Sequence, residues 1–183
     1  ARSCVLSSKM ENLRARPETI ALRSYARLVE ACRTLSTQGG WRDRDEICRA
    51  LARTVARLAV RLGRADGDLG SSEHELIASL VRLDRTYDGF LEASLSEAMA
   101  DEIPDGSASI VRAAAEFDAR EGTSLAREVV EGFESLAYAI VGADGRIVLS
   151  ELDSIQKWVD GLYGALRDRP APQNESYRVM VGA

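Results

Sequence analysis

Apolar residues recur every three to four positions along most of the chain, separated by short polar runs rich in Gly, Asp and Ser; this spacing predicts helices. The first covers Pro17 to Leu35, with Ile20, Leu22, Tyr25, Leu28, Val29, Cys32 and Leu35 at helical spacing and Pro17 in its first turn. A second begins near Asp43, which caps it with Glu46 three residues on, and carries the stripe Ile47, Leu51, Val55, Leu58 and Leu62. A third is expected after Ser72, with Glu75 as its capping partner and Leu76, Ile77, Leu80, Val81 and Leu83 as its apolar positions. Tyr87-Asp88-Gly89 breaks the pattern, and a fourth helix carries Phe90, Leu91, Leu95, Ala98 and Met99. Pro104-Asp105-Gly106 reads as a turn before a fifth helix, Ala108 to Arg120.

The last two stripes are the widest. From Ser124, residues Leu125, Val129, Val130, Phe133, Leu136, Ala137, Ile140 and Val141 predict a central, largely buried helix. Ser150 and Asp153 are expected to cap the next, which carries Leu152, Ile155, Trp158, Val159, Leu162, Tyr163 and Leu166. Trp158 is expected in the core. Aromatic residues are scarce at 5%, while Ala, Leu, Arg and Glu abound, so composition favours helix as well. The expected fold class is all-α: a bundle of about seven helices. Residues 1–16 read as an N-terminal extension, 17–168 as one helical domain and 169–183 as a flexible tail or linker. The chain begins with Ala1 rather than Met, and it is expected to be part of a longer protein.

The turns between helices carry the informative signal. Ala65-Asp66-Gly67-Asp68-Leu69-Gly70-Ser71-Ser72-Glu73 returns 78 residues later as Ala143-Asp144-Gly145-Arg146-Ile147-Val148-Leu149-Ser150-Glu151. Each copy follows one amphipathic helix and opens another, which implies two pseudo-symmetric halves built on a duplicated hairpin. Helix-end chemistry accounts for every position. Gly is free to take a positive φ after Asp. Leu69 and Ile147 are expected to tuck into the core, Ser72 and Ser150 to cap, and Glu73 and Glu151 to sit favourably in a first turn. A second reading is a divalent-metal site. An Asp followed by Gly, an aliphatic and a Glu seven residues on matches half of a calcium loop. Leu62 and Arg64, or Ile140 and Gly142, occupy the places of the missing ligands. Two such halves brought together would offer Asp66, Asp68, Glu73, Asp144 and Glu151 as hard oxygen ligands for Ca²⁺ or Mg²⁺.

The two Ala-Asp-Gly-x-aliphatic-x-x-x-Glu turns, each after a long apolar helix, resemble the TerB-like helical domain over Tyr25 to Leu166. That family includes tellurite-resistance protein B and the N-terminal domain of DnaJ-like membrane chaperones. The resemblance implies an all-α bundle with two pseudo-symmetric halves, acidic turns proposed to bind metal, and a bacterial stress-response setting. It also implies an interaction module, with an ATPase or another domain of the same protein as partner. Arg146 stands where the first copy has Asp68.

Charge and candidate chemistry narrow the functions further. Net charge is −5, so no global basic field for nucleic acid exists. Arg49, Arg53, Arg57, Arg61 and Arg64 are expected to pair with neighbouring carboxylates, and Glu92, Glu97, Asp101 and Glu102 form a complementary acidic patch. No apolar run reaches 18 residues, so no membrane span is expected. His74 is the single histidine, which argues against a His-based zinc site or a Ser-His-Asp triad within the chain. Cys4, Cys32 and Cys48 fit no metal spacing; Cys32 and Cys48 fall on apolar faces, and a reducing, cytoplasmic setting is expected. Nucleophile-elbow, Walker and dinucleotide-binding glycine patterns are missing, so the expected activity is non-catalytic. Trp41, after a glycine pair, would mark a contact surface if exposed, though a lone loop Trp more often packs over a helix end.

Overall fold

A computed structural model describes residues 16–38, 43–63, 70–100, 105–145, 147 and 149–167. Among these, every regular element is a helix: α1 Pro17–Thr37, α2 Arg44–Gly63, α3 Ser71–Asp84, α4 Leu91–Ala100, α5 Ser107–Glu121, α6 Leu125–Val141 and α7 Leu149–Arg167. The all-α expectation holds. Trp41, Arg64, Asp66, Asp68, Leu69, Asp101 and Glu102 lie outside the described residues.

The apolar stripes fold as their spacing requires. Pro17 opens α1, where its missing N–H would have no helical partner. The helix runs two residues past Leu35. Thr34, Ser36 and Thr37 return their hydroxyls to the Glu30 and Arg33 carbonyls at 2.8–3.0 Å, extending the bonded turn. Asp43 precedes α2 and accepts the Asp45 amide at 2.9 Å. Ile47, Leu51, Val55, Leu58 and Leu62 are all buried on one side of α2. On α6, Val129, Val130, Phe133, Leu136, Ala137, Ile140 and Val141 are buried, as a central helix demands.

Two halves emerge from the packing. α1 lies on α2 and α3, and α5 lies correspondingly on α6 and α7. The halves join chiefly through α1 against α6. Gly132 permits that approach: a Cβ there would stand 3.1 Å from a Leu28 methyl. α4 packs mainly on α2 and has no counterpart among the described residues of the second half.

Aspartates from preceding helices fasten two of the helix starts. Asp84, buried at the end of α3, accepts the Leu91 amide at 2.7 Å and the Tyr25 hydroxyl at 2.6 Å. Asp118 of α5 accepts the Leu125 and Ala126 amides at 2.7 and 2.9 Å, together with the Thr123 hydroxyl. Ser124, in the cap position of α6, makes no capping bond.

The Tyr87–Phe90 turn is clasped by the α1–α2 hairpin. Arg33 lies over the Tyr87 ring, and Arg49 over the Phe90 ring, each 4.9 Å from the centroid. Arg44 pairs with Asp88 at 2.9 Å. Arg53 meets Glu97 at 3.3 Å, so the arginine helix and the acidic patch do engage. Met99, expected on the apolar face of α4, is 63% exposed. α4 has room for only one narrow buried edge, Leu91, Ser94 and Ala98.

Candidate functional site: the duplicated turns

Each turn ends one helix and starts the next, and the two helix starts are alike. α3 begins at Ser71, before the position expected from Ser72, with Gly70 as its cap in extended backbone (φ −66°, ψ 163°). Glycine has no side chain to cap with. Glu73, the third helical residue, reaches back instead and accepts the Gly70 amide at 2.7 Å. Glu73, not Glu75, is therefore the capping carboxylate; Glu75 is exposed. α7 begins at Leu149, so Ser150 lies inside it and Glu151 takes the same third position. Asp153 pairs with Lys157 at 2.7 Å instead of capping.

Both glutamates are buried: Glu73 is 5% exposed and Glu151 2%. Glu residues are seldom this deep without interactions, and each has further ones beyond the Gly70 bond. Described residues of the second turn after Ala143 are exposed. Asp144 is exposed but engaged, and Gly145 takes a left-handed conformation at φ +77°. Ile147 is 50% exposed and Leu149 82%. The expectation that Ile147 anchors the loop in the core is corrected: the buried residue here is Glu151, and Ile147 and Leu149 are exposed.

The start of the second turn lies close to the first half. Ala143, just past α6, lines a groove of about 440 Å³ with Pro17 and Glu18 of α1 and Ser72, Leu76 and Arg82 of α3. Its floor is a bonded chain in which Arg82 donates to Ser79 at 2.7 Å and Ser79 donates to Glu18 at 2.6 Å. The corresponding cleft of the second half lies among the end of α2, Asp105 and α7, and holds only about 20 Å³, room for a single water. Trp158 fills it. Its indole N–H donates to Asp105 at 2.9 Å, and its ring meets Phe133 edge-on at 5.7 Å. Trp158 is thus half-buried at the rim, not enclosed in the core, because its polar edge needs a partner.

Of the five candidate metal ligands, Glu73, Asp144 and Glu151 fall among the described residues. No group of three His, Cys, Asp or Glu among the described residues is placed to hold a metal ion. Glu73 already spends one oxygen on the α3 cap. Thiol chemistry is suppressed as well. Burial pushes the Cys48 thiol up to about 12, with a hydrogen bond to Asp88 adding to the rise, and burial raises Cys32 further still. Both are unbridged and buried, as their apolar positions implied. No described helix is long and apolar enough to cross a membrane.

No family model, curated protein or solved structure matches the chain.

Proposed function

We propose that this chain is a non-catalytic protein-interaction module of the TerB-like kind, acting in the bacterial cytoplasm as one part of a larger protein or complex. Its partner is a protein, either an ATPase or another domain of the same polypeptide. The observation that carries this reading is the second turn. Glu151 is locked inside at 2% exposure, while Ile147 and Leu149 stand outside it at 50% and 82%. A rigidly based turn with two projecting aliphatics offers a small apolar contact at low ordering cost. The test is affinity capture with wild-type protein and with the Ile147→Asp, Leu149→Asp double variant. The reading expects specific partners that the double variant loses while its thermal midpoint stays unchanged. Identical captures from both would overturn it.

A second reading is a divalent-metal-binding or metal-sensing module using Asp66, Asp68, Glu73, Asp144 and Glu151. The observation in its favour is that both turn glutamates are buried at the same helical position. Ca²⁺ or Mg²⁺ would be its ion, since all five donors are carboxylates. Thermal unfolding of metal-stripped protein tests it. At a hundredfold excess over its dissociation constant, a specific ion adds about 2.7 kcal/mol. That shift must vanish in both Asp66→Ala and Asp144→Ala for the ion to occupy a shared site.

A further inference from the structure

Each half carries a cleft at the same place in the duplicated hairpin, and only one of the two is filled. The second-half cleft lies between α7, the end of α2 and Asp105 ahead of α5. Its counterpart is the groove between α3, Ala143 after α6 and the start of α1. Both combine the same chemistry. Apolar side chains make the walls: Leu58, Leu62 and Ile155 in one, Pro17, Leu76 and Ala143 in the other. A carboxylate stands beside a helix start in each, Asp105 ahead of α5 and Glu18 in the first turn of α1. Two arginines line each, Arg57 with Arg61 and Arg16 with Arg82.

The difference is one ring. Trp158 occupies the second-half cleft with its N–H on Asp105, leaving about 20 Å³. At the matching position of α3, 78 residues earlier, stands Leu80, a core residue 1% exposed that does not line the groove. None of the groove's described lining residues is aromatic, and about 440 Å³ is open among them, within the range of about 300–1,000 Å³ typical of ligand clefts. Glu18 accepts the Ser79 hydroxyl at 2.6 Å through one oxygen, and a carboxylate has capacity for further donors.

We propose that the groove receives a tryptophan side chain of a partner protein, held as Trp158 is held in the twin cleft. Its ring lies against Pro17, Leu76 and Ala143, and its indole N–H donates to Glu18. Tryptophan suits such a site because it joins a large apolar face to a single donor. Arg82 is exposed, and its described bond goes to the neutral Ser79 hydroxyl, so its guanidinium is placed to cover the outer face of the ring. The source is a protein because the groove adjoins the proposed contact turn: Ala143 opens the segment that projects Ile147 and Leu149. The inference thus rests on the interaction-module reading and names a side chain that the partner presents.

The test titrates N-acetyl-tryptophanamide, a capped indole, into the full chain and follows amide NMR shifts. Saturable shifts are expected at Glu18, Ser72, Leu76, Ser79 and Ala143, with a Kd on the order of 1 mM. The analogue methylated on the indole nitrogen lacks the donor and should bind about threefold to tenfold more weakly. Glu18→Ala, at an exposed position, should remove that preference without unfolding the chain. Glu18→Gln, which keeps an acceptor, should retain it. Free L-tryptophan should bind no more tightly than the capped form. No saturable shift at these positions, shifts centred instead on Asp105 and Ser154, or equal binding of the methylated analogue would overturn the indole site. Tighter binding of free L-tryptophan would overturn the protein source. These results read the groove alone; loss of partner capture at Ile147 and Leu149 would overturn the second-turn reading instead.

Discussion

Glu73 and Glu151 stand 78 residues apart in sequence and at the same third position of α3 and α7, both with their side chains buried. At Glu73 the consequence is visible: its carboxylate closes the start of α3 through the Gly70 amide. Removing it leaves the partly buried Gly70 N–H without that acceptor. Glu73→Ala is expected to cost about 1.5–3 kcal/mol, the worth of a hydrogen bond to a charged group. For a chain of this length that lowers the thermal midpoint by roughly 3–10 °C. Glu151→Ala should fall in the same range if the halves are equivalent in energy as well as position. A neutral Glu151→Ala beside a damaging Glu73→Ala would limit the equivalence to geometry.

Asp118 supports α6 from the preceding helix. It accepts two amides of the first turn of α6, while Ser124 contributes no capping bond. Asp118→Ala should therefore destabilise by about 1–2 kcal/mol, the range of a lost N-cap. Ser124→Ala should change stability by a few tenths at most. Urea unfolding distinguishes them: a lower midpoint at constant slope for Asp118→Ala, and little movement for Ser124→Ala.

Trp158 links two halves of a contact, its ring on Phe133 and its N–H on Asp105. Trp158→Phe retains an aromatic face and loses the donor. A double-mutant cycle with Asp105→Ala should give a coupling of about 0.5–2 kcal/mol. Coupling near zero would mean that Asp105 acts on α5 alone, through its 2.9 Å bond from the Ser107 amide.

Alkaline pH should unfold the protein through its buried thiols. The Cys48 thiol ionises near 9.0 when free of the fold and at about 12 within it. A group whose folded value is raised contributes stability in full below its unfolded value and loses it as pH rises through the folded one. Stability should thus be level up to about pH 8 and decline between 9 and 12. Cys32 and Tyr25, both raised first by burial, act in the same direction. Cys48→Ala should flatten that decline, read as the unfolding midpoint against pH. The same elevation predicts slow alkylation of native Cys48 by iodoacetamide at pH 8, with rapid reaction once the chain is unfolded.

The helices were legible because burial is periodic. Ile47 to Leu62 and Val129 to Val141 repeat at the helical period and are buried as that period requires. Helix starts were less legible. Ser72 with Glu75 has the form of a capping box, yet Gly70 with Glu73 lies two residues earlier and prevails. The roles of Asp84 and Asp118 depend on the approach of one helix to the next, which no local pattern encodes. Ile147 misled for a related reason. An aliphatic beside a turn suggests an anchor, but Glu151 fills the inward place and Ile147 is left outside. The duplication itself was readable, because Ala, Asp, Gly, Ser and Glu recur at matching positions of Ala65–Glu73 and Ala143–Glu151.

The measurement that tests the interaction reading most directly is site-specific photo-crosslinking inside the native cell, with a benzophenone amino acid at Leu149 and, as control, at exposed Arg112 on α5. The account predicts a discrete crosslinked protein from position 149, absent from position 112 and abolished by Ile147→Asp. Crosslinks of equal pattern from both positions, or none from 149 in folded protein, would contradict it.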